Sequence, residues 1–113
     1  GDNMTILTKE IHDEAIAEAK RVSLEKYNEY GGDTLACGFA WVSAYVKGNT
    51  KLGKSFKALG FQKNLCGSGY ELWNPSGLAV QGIDIKEAGA RAYVKVVSKY
   101  LPHVNLFANS RLD

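Results

Sequence analysis

The sequence predicts an α+β protein of one domain, and three observations support this prediction. The chain has 113 residues, 45% apolar and 23% charged, which is typical of one globular domain. Apolar residues recur at helical spacing in two long segments, near the start and near the end of the chain. Between them, short apolar runs alternate with turns rich in glycine, asparagine and proline, which indicates strands. We place the domain at residues 4–113 and leave the first three residues outside it.

The first predicted element is an amphipathic helix that begins after Thr8. The Thr8 hydroxyl can accept a hydrogen bond from the first turn, and Gly31-Gly32 can adopt the left-handed conformation that ends a helix. Between these caps, small and apolar side chains recur every three or four residues, opposite a charged side. The predicted inward side chains are Ile11, Ala15, Ala19 and Val22, flanked by Ile16, Ser23, Tyr27 and Tyr30.

Residues 35–46 form the longest apolar run and predict a strand. Alternate positions differ in size, so one face of the strand is small and the other is aromatic. The aromatic face carries Cys37, Phe39, Trp41, Ser43 and Tyr45. Because neither face carries a charge, we expect this strand to be central and covered on both sides. A helix can approach the small face, whereas the aromatic face needs a helix, a partner chain or stacked bases.

A short helix over residues 51–59 follows a turn. Gly60 suits the position after its C-cap, where Phe61 can fold back on Phe56. The polar, glycine-rich residues 62–69 predict a loop.

Residues 70–73 and 78–83 predict a β-hairpin, since Asn74-Pro75-Ser76-Gly77 suits a type I turn. Asp84 and Glu87 predict a capping box, with Ile83 stapled onto Ala88. The helix that they begin runs to about Leu101, before Pro102. Its predicted inward side chains are Ala88, Ala92, Tyr93, Val96, Val97 and Tyr100.

Residues 104–108 predict a final strand and residues 109–113 a polar tail. The order is therefore a helix followed by β-α-β-β-α-β, as in the split βαβ, or ferredoxin-like, fold. It predicts a four-stranded antiparallel sheet with two helices on one face. The first helix would cover the other face or pack at its edge.

Residues 48–55, GNTKLGKS, match the phosphate-loop pattern G-x-x-x-x-G-K-[ST]. The helix after them ends near Gly60, whereas such loops normally precede a long helix. The chain also has no run of four apolar residues ending in aspartate that could hold the magnesium ion. We interpret the match as a turn followed by a solvated lysine face and predict no enzyme activity. The residues that would contact phosphate are Gly48, Lys51, Gly53, Lys54 and Ser55.

Residues 37–42, CGFAWV, match the middle of an RNA-recognition octamer. Cys37 replaces its basic residue, Ala44 replaces its last aromatic residue, and only a helix precedes the strand, so the module is incomplete. Exposed aromatic side chains beside Lys47 would still form a stacking surface. We favour burial in a core or an interface.

No catalytic, metal or cofactor site is predicted. The two cysteines, Cys37 and Cys66, are too few for a cysteine metal site, and they have no obvious histidine partner. His12 and His103 are expected to be structural or surface residues. A net charge of +2 does not by itself indicate nucleic acid, and no apolar run is long enough to cross a membrane.

The strings CGFAWV, NTKLGK, WNPSG, KEAGARAY and SRLD occur in this order between Cys37 and Asp113. In these strings the chain resembles small uncharacterised proteins encoded by bacteriophages. The resemblance implies a phage accessory role in the host-cell cytoplasm, and it assigns no site residues.

The sequence leaves two functional hypotheses. The preferred one is an intracellular protein that acts by binding, as a homodimer or larger assembly or with a protein partner. The alternative is a nucleotide- or single-stranded nucleic-acid-binding protein that uses the basic residues 47–57 and the aromatic strand. The candidate surface consists of Phe39, Trp41, Tyr45 and Trp73.

Overall fold

The computed structural model describes residues 6–113, which fold into three helices and a four-stranded sheet. All strand pairs are antiparallel, and the strand order is β2-β3-β1-β4. The α+β class and the four-stranded antiparallel sheet are confirmed, and β1 is a central strand as predicted. The elements are α1 (Lys9–Glu29), β1 (Gly38–Ala44), α2 (Lys51–Ala58), β2 (Gln62–Lys63), β3 (Tyr70–Trp73), α3 (Ile83–Tyr100) and β4 (Leu106–Leu112).

Local capping sets both ends of α1, as the sequence predicts. The Thr8 hydroxyl accepts a hydrogen bond from the Ile11 N–H at 3.2 Å. At the other end Gly31 has a φ of 71°, and the Gly32 N–H reaches back to the Tyr27 carbonyl at 2.9 Å. These bonds satisfy backbone groups that a helix leaves free at its ends.

All three helices contribute buried residues to one core, against the small face of β1. Ala40, Val42 and Ala44 are at most 1% exposed there. The first helix packs along α3, so it does not cover the second face of the sheet. Gly89 of α3 permits the close approach, because a Cβ at this position would lie 2.5 Å from the Ser23 hydroxyl of α1.

The predicted hairpin between residues 70–73 and 78–83 is wrong. The 74–77 turn forms, with the Gly77 N–H bonded to the Asn74 carbonyl at 2.9 Å, but residues 78–82 do not pair with β3. Asp33 holds this segment elsewhere, since its carboxylate accepts the N–H groups of Gln81 and Gly82 at 2.7 and 2.8 Å. Strand β3 pairs instead with β2, which occupies part of the predicted 62–69 loop.

The capping box at the start of α3 is also wrong. Gly82 is the N-cap and makes no side-chain capping bond. Asp84 lies in the first turn of the helix, while the Glu87 carboxylate accepts a hydrogen bond from the Ser110 hydroxyl and pairs with Arg91. Glu87 therefore connects α3 to β4 and does not cap the N-terminus of α3.

The last strand is longer than predicted, and the expected polar tail is part of it. Strand β4 runs to Leu112 because its backbone pairs with the whole of β1, from Gly38 opposite Leu112 to Ala44 opposite Leu106. Strand β1 is itself shorter than the predicted 35–46. None of the helices within residues 6–113 has the length and hydropathy needed to cross a membrane.

Candidate functional site

The second face of the sheet carries aromatic side chains outside the core. The register places Trp41 opposite Trp73 and Ser43 opposite Phe107, so side chains of three strands share this face. Trp73 is 46% exposed and Phe107 is 53% exposed, while Phe39 and Trp41 are half-buried. We define the aromatic face as Phe39, Trp41, Tyr45, Trp73 and Phe107.

The rings on the aromatic face form two groups. Trp41 and Trp73 stack with their centroids 4.6 Å apart and their planes 18° apart, and Phe39 meets Trp73 edge-on at 6.0 Å. Tyr45 and Phe107 meet edge-on at 5.8 Å. Because four of the five side chains leave regular strands and Tyr45 follows the end of β1, the backbone holds these rings in place before any ligand arrives.

Two cations flank the first group. The Lys86 Nζ and the Arg111 guanidinium each lie 5.4 Å from the centroid of the Phe39 ring, within cation–π range. The Glu71 carboxylate accepts the Nε1–H of Trp73 at 3.2 Å. The surface therefore combines flat rings with two cations and one carboxylate.

A shallow groove borders the tryptophan pair, where the loop after β2 rises beside the sheet. Leu65 of this loop is 96% exposed, and Cys66 is an exposed free thiol. Arg111 lines the opposite side. The groove gives an extended ligand a path across β3, β1 and β4.

The structure brings three of the four predicted surface residues together and separates the fourth. Phe39, Trp41 and Trp73 form the first ring group, while Tyr45 pairs with Phe107. Sequence reasoning missed Phe107, Lys86 and Arg111. The alternation of Phe107, Asn109 and Arg111 is the sequence signal for a longer strand. The interpretation of residues 109–113 as a polar tail overlooks it. The basic helix α2 lies on the other side of the sheet, where Phe56 anchors it in the core.

The phosphate-loop pattern forms a turn over residues 48–50 and then the first turns of an ordinary helix. Helix α2 begins at Lys51, and the N–H groups of Gly53 and Lys54 bond to the hydroxyl and carbonyl of Thr50 at 3.0 and 2.9 Å. Ser55 accepts the Leu7 N–H at 2.9 Å and donates to the Leu52 carbonyl at 2.6 Å. These N–H and hydroxyl groups are hydrogen-bonded within the protein and do not form a phosphate-binding loop.

We expect no nucleotide site at this pattern. Titration of the protein with MgATP or MgGTP should give no saturable binding in the micromolar range and no hydrolysis above that of the Lys54→Ala variant. Isothermal titration calorimetry and phosphate release measure the two quantities. Micromolar binding that the Lys54→Ala substitution abolishes would contradict this expectation.

The histidines occupy structural or exposed positions. His12 on α1 lies with its Nδ1 2.7 Å from the hydroxyl of Tyr93 on α3. Burial lowers the pKa of His12 and raises the pKa of Tyr93, so both groups are neutral near pH 7. His103 is exposed after the end of α3. Within residues 6–113 no three histidine, cysteine or carboxylate side chains cluster as metal ligands would.

The chain matches no protein-family model, no curated protein and no solved structure. The likeness to bacteriophage proteins therefore stays a prediction. The chemistry of the aromatic face is the remaining indication of function.

Proposed function

We propose that the protein acts by binding and not by catalysis, and that its aromatic face binds single-stranded nucleic acid. The stacked Trp41–Trp73 pair carries this proposal, because it leaves Trp73 46% exposed on an open sheet beside two cations. Every nucleic-acid base has a flat π-face, so an aromatic platform stacks on bases without needing a particular sequence. An intracellular accessory role would suit such an activity.

The charges favour an anionic strand over a second copy packed face to face. A face-to-face dimer would bury the Arg111 guanidinium and the Lys86 ammonium of both copies. The Lys86 Nζ donates to the Gly38 carbonyl at 2.9 Å, but taking such charges out of water is still costly. One carboxylate, Glu71, lies on the same face and keeps its negative charge while it accepts the Trp73 N–H, so the face carries two cations and one anion. The phosphates of a single strand would neutralise both cations while its bases cover the rings.

The strand order and the connections between strands support a proposal about the fold type. Strand β3 lies between β1 and β2, α2 connects β1 to β2, and α3 connects β3 to β4. We propose that this unit is a split βαβ, or ferredoxin-like, sheet to which α1 is added on the helical side. Such a sheet keeps one face free for a ligand.

The test is the binding of a fluorescein-labelled oligothymidylate of about 12 nucleotides, within the usual site size of such surfaces. We expect micromolar affinity by fluorescence anisotropy. The Trp73→Ala variant should bind about 5- to 150-fold more weakly, which corresponds to about 1 to 3 kcal/mol for one stacked base. Its melting temperature should change little, because Trp73 lies outside the core.

Matched variants separate the site from general effects. Tyr30→Ala removes a similarly exposed ring from the end of α1, and Lys95→Gln removes an exposed charge from α3; both should bind as the wild type does. Arg111→Gln should also flatten the salt dependence of binding, by about 0.7 in the log–log slope for one phosphate contact. Equal affinity of wild type and Trp73→Ala would overturn the proposal. Absence of binding by the wild type would also overturn it, and a dimeric wild type with a monomeric Trp73→Ala variant would then assign the face to contact between two copies of the chain.

A further inference from the structure

Strand β4 is a long, unprotected edge. The order β2-β3-β1-β4 leaves β2 and β4 at the two edges of the sheet. The β2 edge has only two residues, whereas β4 has seven, paired with β1 without a bulge. Residues 106–112, LFANSRL, contain no proline or lysine. Natural proteins use short strands, bulges, prolines and charged side chains, lysine above all, to prevent pairing at sheet edges, and of these β4 has only the charge of Arg111.

The hydrogen-bonding groups on the free side of β4 follow from its register. The Tyr45 N–H donates to the Asn105 carbonyl at 3.0 Å, and the Asp113 N–H donates to the Cys37 carbonyl at 3.1 Å. Since backbone direction alternates along an antiparallel pair, the odd-numbered residues of β4 bond to β1 and the even-numbered ones face outward. Within residues 6–113, no hydrogen bond reaches the outward backbone groups. They belong to Leu106, Ala108, Ser110 and Leu112.

We propose that β4 pairs antiparallel with β4 of a second copy of this chain, about a two-fold axis at Asn109. Asn109 is the middle residue of Leu106–Leu112, so this register pairs the whole strand. All four outward residues then bond across the axis, Leu106 with Leu112 and Ala108 with Ser110 of the other copy. With an axis at Ala108 or Ser110, one end of β4 would lie opposite residues outside the strand of the other copy.

Side chains are self-complementary in the same register. Phe107 of each copy faces Arg111 of the other on the aromatic side, where ring and guanidinium attract each other. Leu106 faces Leu112 on the helical side, and Leu112 is 69% exposed in the single chain. The two contacts occur twice because the axis is a two-fold.

The dimer would be one eight-stranded sheet with both aromatic faces on the same side. A two-fold axis perpendicular to the sheet keeps odd-numbered residues of both copies on one face. The pairing uses only β4 and forms without nucleic acid, so it does not depend on the proposed function. It would double the length of the surface over which a strand could lie.

Two variants that differ only in the sign of one charge test the register. Phe107→Lys places an ammonium opposite Arg111 of the second copy, and Phe107→Glu places a carboxylate there. Sedimentation equilibrium should show a wild-type dimer, and a dissociation constant at least about tenfold higher for Phe107→Lys than for Phe107→Glu, with the gap narrowing at high salt. Equal dissociation constants for the two variants would overturn the proposal, as would a wild-type chain that stays monomeric at every concentration.

Cross-linking provides a second readout that does not depend on affinity. Asn109 would form a non-hydrogen-bonded pair with itself across the axis, with Cα atoms about 4.5 Å apart, within disulfide range. In a Cys37→Ser, Cys66→Ser background, Asn109→Cys should oxidise to a covalent dimer, whereas Ser68→Cys in the exposed loop should not. A dimer that cross-links through Trp73→Cys and not through Asn109→Cys would place the contact on the aromatic face and refute edge pairing.

Discussion

Replacing Phe56 with alanine is expected to lower the free energy of unfolding by about 3 to 5 kcal/mol. Phe56 is fully buried and meets Phe61 edge-on, with ring centroids 5.0 Å apart; Phe61 in turn lies 6.0 Å from the Tyr93 ring. Removal of the Phe56 ring loses the free energy of burying a large apolar side chain and leaves a cavity beside Phe61. An eight-residue helix has little stability of its own, so α2 depends on this contact.

Urea denaturation followed by circular dichroism measures the loss. Leu65→Ala is the matched control, because Leu65 is apolar and almost fully exposed, and its change should stay within about 0.5 kcal/mol. The loss is a large fraction of the 5 to 15 kcal/mol typical of a domain. A loss below about 1 kcal/mol for Phe56→Ala would show that α2 is held by other contacts.

Replacing Gly53 with alanine is expected to cost about 3 kcal/mol, the upper end of the range for overpacking. A Cβ on Gly53 would overlap the carbonyl oxygen of Lys47, and the overlap is with backbone, which cannot rotate away. The 47–50 turn would have to move off α2 and lose the hydroxyl bond of Thr50 to the Gly53 N–H. A Cβ on Gly48 would overlap the hydroxyl of Tyr70, which is the far end of a side chain and can move, so Gly48 is constrained less strongly.

Two controls show whether close packing causes the effect. Gly67→Ala is the same substitution at an open site, where the nearest atom to an added Cβ is 3.7 Å away, and it should be neutral or slightly stabilising. Lys54→Ala changes the neighbouring exposed residue and should cost less than about 0.5 kcal/mol. Thermal melts of the three variants decide the matter, and a Gly53→Ala protein as stable as Gly67→Ala would refute this account. The packing would explain why glycines stand at both positions of the phosphate-loop pattern without a phosphate to bind.

Local sequence was sufficient wherever the determining partner lies within a few residues. Thr8 and Gly31-Gly32 set the ends of α1, and Gly60 with Phe61 sets the end of α2. Size alternation along residues 35–46 predicted the central strand and three of the five residues of the aromatic face. Each of these depends on helix periodicity, strand alternation or capping, which are properties of short segments.

Only the tertiary structure decided the elements whose partners lie far along the chain. Asp33 draws the backbone of Gln81 and Gly82 away from β3 across 48 and 49 residues. The N–H groups of Gln81, Gly82 and Thr34 in turn hold the pKa of Asp33 below its usual value. Periodicity cannot reveal such a bond, because a strand and an extended segment held by a carboxylate have similar residue patterns.

The exposure of the aromatic face was also determined by the tertiary structure. From the sequence, α1 could have covered this face, and Phe39, Trp41 and Tyr45 would then have been core. Small residues on both helices, among them Gly89, let α1 pack closely on α3 instead. The sequence by itself determined that β1 has one small and one aromatic face. Which face the helices cover depended on how closely α1 and α3, which lie far apart in the chain, could approach each other, and that is a property of the packed structure.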